Sequence, residues 1–424
     1  MKNRLGIALI AASLAGCGVM PRSGPQAATG DTLGAQGARP DALVPGEIIV
    51  GARPQDGRLA LGGIALLGGE LQATFTLTNT HYVVKVPRGT TTDQALAKAR
   101  SLPGVAYAVP NRVFKVSLPA PDQTASDALE ALEALNDPFF GQQWAFKRTG
   151  TPANWERIDA TRTLVAVADT GVDDRHPDFG GRVRRGKNFA NGTDDTMDRY
   201  GHGTHVAGIT AATGNNGIGM AGVVWNAPIL AIKVLGDNGS GTTQGVAEGM
   251  KYAADQGAKV LNMSLGSDTS EIDPVMHDAL QYCLNRGTIV ICAAGNSSGA
   301  IGSPANDPLA VAVTSTSNYP IIGEKISYFS SRGPNSWVAA PGDGIMSTLP
   351  SGGSNMGTNY GKASGTSMAC PFVAGTATAM RALHPDWSAD QVRAKLKDSV
   401  DDLGAKGRDN NYGWGRVNLA RAAN

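Results

Sequence analysis

Apolar residues follow two different rhythms along this chain. From about Val44 to Val116 they come in separated runs. "GEIIV" (Gly46–Val50) and "HYVVKV" (His81–Val86) read as strands, and "GVAYAVPNRVFKV" (Gly104–Val116) reads as a closing strand. Thr91 to Ser101 reads as a helix, with Thr91 and Gln94 at capping-box spacing. This is the pattern of a small α+β unit. From about Asn136 strand-like and helix-like runs alternate. Leu164–Ala168, Ile229–Val234, Val260–Met263, Ile289–Ala293 and Leu309–Val313 are short, apolar and largely β-branched. Between and after them, Gly203–Ala212, Thr243–Asp255, Pro274–Asn285, Ser367–Leu383 and Ala389–Ser399 have helical character. The strand runs do not alternate with polar residues, so both faces must be covered. The expected fold is α/β, a parallel sheet flanked by helices, with its sites at the carboxyl ends of strands.

The start of the chain has another pattern. Lys2 and Arg4 precede an apolar run, Leu5 to Ala15, that is too short to span a bilayer and fits an export signal. It ends in "SLAGC", which resembles the lipobox of bacterial lipoproteins and makes Cys17 the lipidated residue. Ordinary signal cleavage after Ala15 is the alternative, since Ser13 and Ala15 are both small. Pro21 to Pro40 reads as a flexible tether. "LPAPDQTASDALEALEAL" (Leu118–Leu135) reads as an exposed linker with room for a short helix.

At 424 residues the chain needs more than one ordinary core. With 17% charged residues and a net charge of +1 there is no electrostatic case for nucleic acid. Cys283, Cys292 and Cys370 have no metal-ligand spacing and read as small buried apolar residues.

Three stretches fall where an α/β sheet carries its chemistry. "VAVADTGVD" ends a strand at Asp169, "GHGTHVAG" opens a helix just after His202, and "GTSMACP" opens a helix at Ser367. A serine hydroxyl is a weak nucleophile, so it needs a base within reach and the base needs an orienting acceptor. Each stretch alone also has a plainer reading. Asp169 suits a turn, His202 and His205 suit a metal pair, and Ser367 suits a helix N-cap.

Taken together the stretches resemble the subtilisin-like serine proteases (subtilases, peptidase family S8), in particular the thermitase-like branch. The resemblance runs from about Asn136 to the C-terminus through "NDPFFGQQW", "DTGVDDRHPDF", "GHGTHVAGI", "NNGIGMAGV", "LNMSLG", "AAGN", "FSSRGP", "GTSMACP" and "YGWGRVN". It implies an exported endopeptidase made as a zymogen, with 1–16 as signal, 17–43 as tether, 44–116 as propeptide, 117–136 as linker and 137–424 as the peptidase domain. It implies the triad Asp169, His202 and Ser367, with Asn296 as an oxyanion donor. Ser240 and Gly241 in one segment, and Ser264, Leu265 and Gly266 in another, would pair with an extended substrate. Ala293, Ala294 and Gly302 would line a P1 pocket suited to apolar side chains. Asp137, Asp178, Asn216 and the carbonyls of Thr213, Ile218 and Met220 would hold a structural Ca²⁺. No redox or nucleotide cofactor is expected. The implied partners are polypeptide substrates, the chain's own propeptide as inhibitor, and the membrane through a lipid anchor before processing, with the enzyme a monomer. Asp194, Asp195 and Asp198 read as a solvated acidic loop, with a second cation as the alternative. A Ser–Lys dyad of Ser367 and Lys362 and a non-catalytic binding module are the competing functional readings.

Overall fold

The structure is a computed structural model and describes residues 42–124 and 135–424. Cys17 and the tether Pro21–Pro40 lie outside the described residues.

The first unit is an antiparallel sheet of β1 (Leu43–Ala52), β2 (Glu70–Thr76), β3 (Thr80–Lys85) and β4 (Tyr107–Lys115), in the order β2-β3-β1-β4. Helices α1 (Gly57–Leu67) and α2 (Thr92–Arg100) cover one face. The capping box expected at α2 is present, with Thr91 Oγ1 accepting from Gln94 N and Gln94 Oε1 accepting from Thr91 N. Helix α1 and strand β2 were not expected. "GRLALGGIALL" carries two interior glycines, each costing about 1 kcal/mol of helix propensity. The helix forms because Ala60, Ile64 and Leu67 are buried against the sheet.

The second unit is built on a mostly parallel sheet. Its strands are β5 (Val165–Asp169), β6 (Val183–Asn188), β7 (Ile229–Lys233), β9 (Val260–Met263), β10 (Ile289–Ala293), β11 (Val311–Tyr319), β12 (Gly323–Ile326), β13 (Val338–Pro341), β16 (Val400–Asp401) and β17 (Arg416–Val417), while β8 (Ser240–Thr242) joins β4. The order is β16-β17-β13-β11-β10-β9-β5-β7-β6, with β12 paired antiparallel to β11. A separate ribbon joins β14 (Ile345–Thr348) to β15 (Tyr360–Ala363). Helices α3 (Ala145–Thr149), α4 (His202–Ala211), α5 (Thr243–Asp255), α6 (Pro274–Asn285), α7 (Thr366–Leu383), α8 (Ala389–Asp398) and α9 (Leu419–Ala422) complete the unit.

The pleat explains the unbroken apolar strands. Val165 and Val167 of β5 join the cluster containing Val206 of α4 and Val373 of α7. Ala166 and Ala168 of the same strand join the opposite cluster, with Val246 of α5 and Leu280 of α6. Each successive side chain therefore meets a helix layer, as a doubly covered sheet requires. That second cluster also holds Ile49, Phe75, Val83 and Phe114 of the first unit. The free face of the small sheet thus closes over α5 and α6. Asp278 of α6 fixes this contact by accepting from Thr78 Oγ1 and Asn79 Nδ2, each at 2.6 Å, and from Tyr107 OH at 3.0 Å. His81 Nε2 stands 3.2 Å from the same carboxylate.

The segment after β4 is largely exposed, as expected of a linker, but it lies against the second unit. Leu118 packs against the main core, and Asp122 is hydrogen-bonded to Tyr319. A half-buried aliphatic side chain and a bonded carboxylate hold this stretch onto the second unit.

Helix α7 crosses its neighbours without side-chain clearance at Gly375, where an added Cβ would lie 2.5 Å from Val223 Cβ. Gly375→Ala gains about 1 kcal/mol of helix propensity but overpacks a fully buried site, which costs about 1–3 kcal/mol. The clash wins, and the thermal midpoint should fall; an unchanged or raised midpoint would contradict this packing.

Candidate active site

Asp169 is the last residue of β5, and His202 is the first of α4. Both are fully buried, and His202 Nδ1 lies 2.7 Å from Asp169 Oδ1, which also accepts from Thr170 N at 2.7 Å. Two elements from different parts of the chain meet here because the helix start carries almost no side-chain bulk. A Cβ added at Gly203 would lie 2.0 Å from the carbonyl oxygen of Gly171. Only glycine permits that approach.

A third carboxylate ties the two elements together. Asp198 is 1% exposed and accepts from Thr170 Oγ1 at 2.9 Å, Gly201 N at 2.8 Å, Thr204 N at 2.8 Å and Thr204 Oγ1 at 2.7 Å. Thr170 Oγ1 in turn accepts from Gly203 N at 2.9 Å. Asp198 therefore leaves the solvated acidic loop read from sequence, because its oxygens are spent on backbone and hydroxyl donors inside the protein. Asp195 stays outside and pairs with Arg199. No sequence signal separates Asp198 from its acidic neighbours. The metal pair of His202 and His205 is not formed: His202 Nδ1 is taken by Asp169 and His205 Nε2 lies 3.1 Å from Gly361 O, while burial holds the His205 pKa down to about 3.

Ser367 sits in the first turn of α7. Its hydroxyl donates to Ser264 O at 3.0 Å, and Ser264 Oγ donates back to Ser367 O at 2.9 Å. The second bond explains how Pro371 is tolerated inside the helix. Proline has no N–H, so the carbonyl four residues earlier loses its helical donor, and that carbonyl is Ser367's. Ser264 supplies the missing donor. His202 Nε2 is buried without a hydrogen-bond partner, so the imidazole keeps an open acceptor or donor position beside the helix. Lys362 lies exposed on β15. Cys370, one turn after the serine, is buried, and burial pushes its thiol up to about 12, so it stays protonated and inert.

Asn296 bridges the serine helix and the first unit. Its Oδ1 accepts from Thr366 N at 2.8 Å and Thr366 Oγ1 at 2.9 Å, which fixes the amide plane. Its Nδ2 donates to Ser117 O at 2.7 Å. Residues 113–116 reach this point as an added strand. Val113, Phe114 and Lys115 pair antiparallel with Thr242, Gly241 and Ser240. Val116 N continues this pairing by donating to Gly239 O at 3.1 Å, and on the other side Lys115 N donates to Gly266 O at 3.1 Å. Ser240, Gly241 and Gly266 thus flank an extended peptide. Leu265 and Ala294 are buried nearby, Phe114 is fully buried, and Gly302 N bonds to Ala294 O. Ser117 itself is exposed. From sequence, Ser117 opens the linker of 117–136 in which processing is expected, but residues 118–124 give no sign of being held, because nothing in their composition distinguishes a bound strand from a linker.

The arrangement can run acyl transfer. It has a buried imidazole oriented by a carboxylate, a serine at the head of a helix that packs on α4, and an amide N–H already on a peptide carbonyl; the serine hydroxyl is turned to Ser264 O rather than to His202. A model of the subtilase family matches residues 160–415. The chain belongs to the subtilase family. A model described as the fervidolysin N-terminal prodomain matches residues 31–111, so this subtilase carries a prodomain ahead of its peptidase unit. It is 39% identical to thermitase of Thermoactinomyces vulgaris over 289 residues, 68% of this chain and 98% of thermitase. It is 38% identical to subtilisin Savinase of Lederbergia lenta over 281 residues, 66% of this chain and 97% of Savinase. Fervidolysin of Fervidobacterium pennivorans, a keratinolytic enzyme related to subtilisin, shares the fold at a TM-score of 0.78 and 28% identity, across 91% of this chain and 62% of fervidolysin. The subtilase is a serine endopeptidase, and its α/β fold with a mostly parallel sheet agrees with the sequence reading.

The loop expected to bind a cation is also formed. Asp137 Oδ2 accepts from Asn215 N at 2.7 Å and its Oδ1 from Asn216 N at 3.0 Å. Asp178 Oδ2 accepts from Met220 N at 3.0 Å. Burial pushes Asp178 up to about 6, and the nearby Asp137 carboxylate adds to this, against the pull of its hydrogen bonds. Asn216 turns its Nδ2 to Asp178 Oδ1 at 2.9 Å, and its Oδ1 accepts from Ile218 N. That differs from the oxygen-donor role expected of Asn216, because the carboxylate draws the amide N–H. Thr213 N is bonded to Asp178 O, which brings that residue to the same loop. Among the described residues no three His, Cys, Asp or Glu side chains gather as a metal cluster.

Gly203→Ala should fold but drive α4 away from the end of β5. A displacement of about 1 Å at a catalytic contact can cost about 10²-fold in rate. Peptide hydrolysis should drop by about that factor while circular dichroism stays as in the parent; full activity would mean the close approach does not set the Asp169–His202 geometry.

Proposed function

We propose that this subtilase is an exported zymogen that cuts its own Ser117–Leu118 bond and then acts on other polypeptides. The observation that carries the reading is the carbonyl of Ser117, held by Asn296 Nδ2 at 2.7 Å at the end of a strand laid between Ser240–Thr242 and Gly266. In this reading Ser367 Oγ attacks the Ser117 carbonyl carbon. His202 takes the serine proton and returns it to the leaving Leu118 amine. Asp169 holds the imidazole tautomer and stabilises its cation. Asn296 Nδ2 and the Ser367 N–H receive the developing oxyanion. The prodomain is then first substrate and afterwards inhibitor, since the same strand still fills the cleft after the cut.

Specificity follows from which side chains of that strand are buried. The small walls at Ala293, Ala294 and Gly302 suit an apolar P1 group. The precursor has only Ser117 there and takes its apolar hold through Phe114, three residues earlier, which is fully buried. Cutting after Ser117 also separates the peptidase unit from Cys17. The lipobox reading therefore makes the precursor an anchored form at the extracytoplasmic face and the mature enzyme a released one.

The fitting role for the Asp137–Asp178 loop is structural Ca²⁺ binding, with Asn216 and the carbonyls of Thr213, Ile218 and Met220 as further oxygen donors. Two neighbouring carboxylates, one of them pushed up by burial, form a donor set that a divalent cation relieves. When bound, the ion neutralises that charge and pins the loop.

The processing bond is tested by intact mass. Full-length chain incubated with calcium should yield a fragment ending at Ser117 and a product beginning at Leu118, and the Ser367→Ala chain should stay whole. Cleavage of the Ser367→Ala chain at the same bond would refute self-processing. Asn296→Ala should lower kcat by about 10²–10³, the loss subtilisin shows on losing its own donor; an unchanged kcat would remove Asn296 from that role.

The cation is tested by melting temperature. Asp178 is raised above the ordinary carboxylate value of about 4, so without a cation its stabilising contribution is present below about pH 4 and lost as pH rises through about 6. A bound cation reverses this, because it needs the ionised form. The gap in melting temperature between calcium and chelator should widen from pH 5 to pH 7; no gap at pH 7 would count against the site.

A further inference from the structure

Beyond Ser117 the chain does not leave the protein. Tyr328 OH donates to Ala120 O at 3.0 Å. Tyr319 OH, at the end of β11, donates to Asp122 Oδ2 at 2.8 Å. Burial raises the Tyr319 phenol, and the Asp122 carboxylate raises it further, to about 12, so it stays a donor across the working range of pH. The other oxygen of Asp122 accepts from Thr124 N at 2.9 Å and Thr124 Oγ1 at 2.7 Å. Asp122 N lies 3.3 Å from each carboxylate oxygen of Asp343. Asp343 is 2% exposed and is held by Ser317 Oγ at 2.8 Å and Ser364 Oγ at 2.7 Å. A cavity of about 490 Å³ opens beside this stretch, between Leu118 and Pro121 on one side and Trp144 and Ala363 on the other.

These contacts make a second half to the cleft. Upstream of Ser117 the grip is backbone pairing, supplemented by the buried Phe114 ring and by Lys115 Nζ, 3.3 Å from Asp268. Downstream the peptide itself supplies a carboxylate, and a phenol of the peptidase unit donates to it. The phenol offers one O–H, and a charged acceptor takes it more strongly than a neutral one. Asp343 meanwhile occupies the N–H of the same residue, so a peptide is held there by both its backbone and its side chain.

We propose that Tyr319, Tyr328 and Asp343 form a substrate subsite reaching the fifth residue beyond the cut bond, where Tyr319 selects an acidic side chain. The chain's own segment Leu118–Thr124 is its first occupant and, once cut, a tethered competitor for it. The inference rests on the proposed cleavage at Ser117–Leu118. A segment tethered by the residues before Asn136 keeps a high effective concentration at the subsite, so it must be displaced or trimmed before long substrates bind on this side.

The test uses full-length chain carrying Asp122→Ala, incubated to self-processing, so that the competitor has lost its carboxylate. Two quenched peptides are compared, Phe-Lys-Val-Ser-Leu-Pro-Ala-Pro-Asp-Gln-Thr and the same sequence with Ala for Asp. The Asp peptide should show a KM about three- to tenfold lower, as expected for a partly exposed bond to a charged group. Adding Tyr319→Phe should collapse that gap. Equal KM values for the two peptides, or a gap that survives Tyr319→Phe, would overturn the subsite. An acetyl-tetrapeptide anilide ending in Ser has no residue downstream of its cut bond and reports the triad separately. If the enzyme fails on the anilide, the cleavage reading falls and the subsite falls with it; if it cuts the anilide but does not discriminate the peptides, only the subsite falls.

Discussion

The structure depends on one close approach, between the carboxyl end of β5 and the amino end of α4. A strand end and a helix start both leave backbone groups unsatisfied, and neither is normally packed against the other without intervening side chains. Here Gly203 removes the bulk, and Asp198 supplies acceptors to both sides through Thr170, Gly201 and Thr204. Asp169 and His202 can then be fully buried and still bonded at 2.7 Å. A buried carboxylate–imidazole contact of this kind is costly to assemble, and it is held by neighbours that do no chemistry themselves. The reciprocal bonds between Ser264 and Ser367 serve the same end at α7, where a proline would otherwise leave a buried carbonyl unpaired.

The second organising interaction is strand addition. Backbone pairing of β4 with β8 and with Gly266 recruits the prodomain through groups that every peptide has. Affinity without sequence demand suits an enzyme acting on many substrates, and it also means that an intramolecular strand will fill the cleft first. The wide apolar face shared by the small sheet with α5 and α6, pinned by Asp278, adds what the strand alone lacks.

Much of the sheet was legible in the sequence, because Leu164–Ala168 and Ile289–Ala293 are unbroken apolar runs, and Val260–Met263 is interrupted only by Asn262, so both faces must be covered. Helices α5 and α6 were legible from end to end, since Thr242 and Asp273 cap them. Helix α1 was hidden by its glycines, and the short strands β13 to β17 were hidden because pairing partners, not their own composition, make them strands. At the site, Asp169, His202, Ser367 and Asn296 were legible as a resemblance carried by flanking motifs. Asp198 was not, because burial distinguishes it from Asp194 and Asp195 and burial is a property of the fold. Residues 117–124 look like linker for the same reason: their structure is borrowed from the groove they occupy.

The shared apolar face has a kinetic meaning. Ile49, Phe75 and Val83 form one wall of a common core only while the two units stay together. Once the bond between them is cut, a departing prodomain would expose that wall to water and keep only the small cluster around Ile48, Ile64 and Leu96. A domain of this size has little stability to lose, and on the proposed cleavage its loosened chain would be open to proteolysis. If the proposed cut is made and the released piece is then digested, the strand that could refill the cleft is gone, and activation would run in one direction.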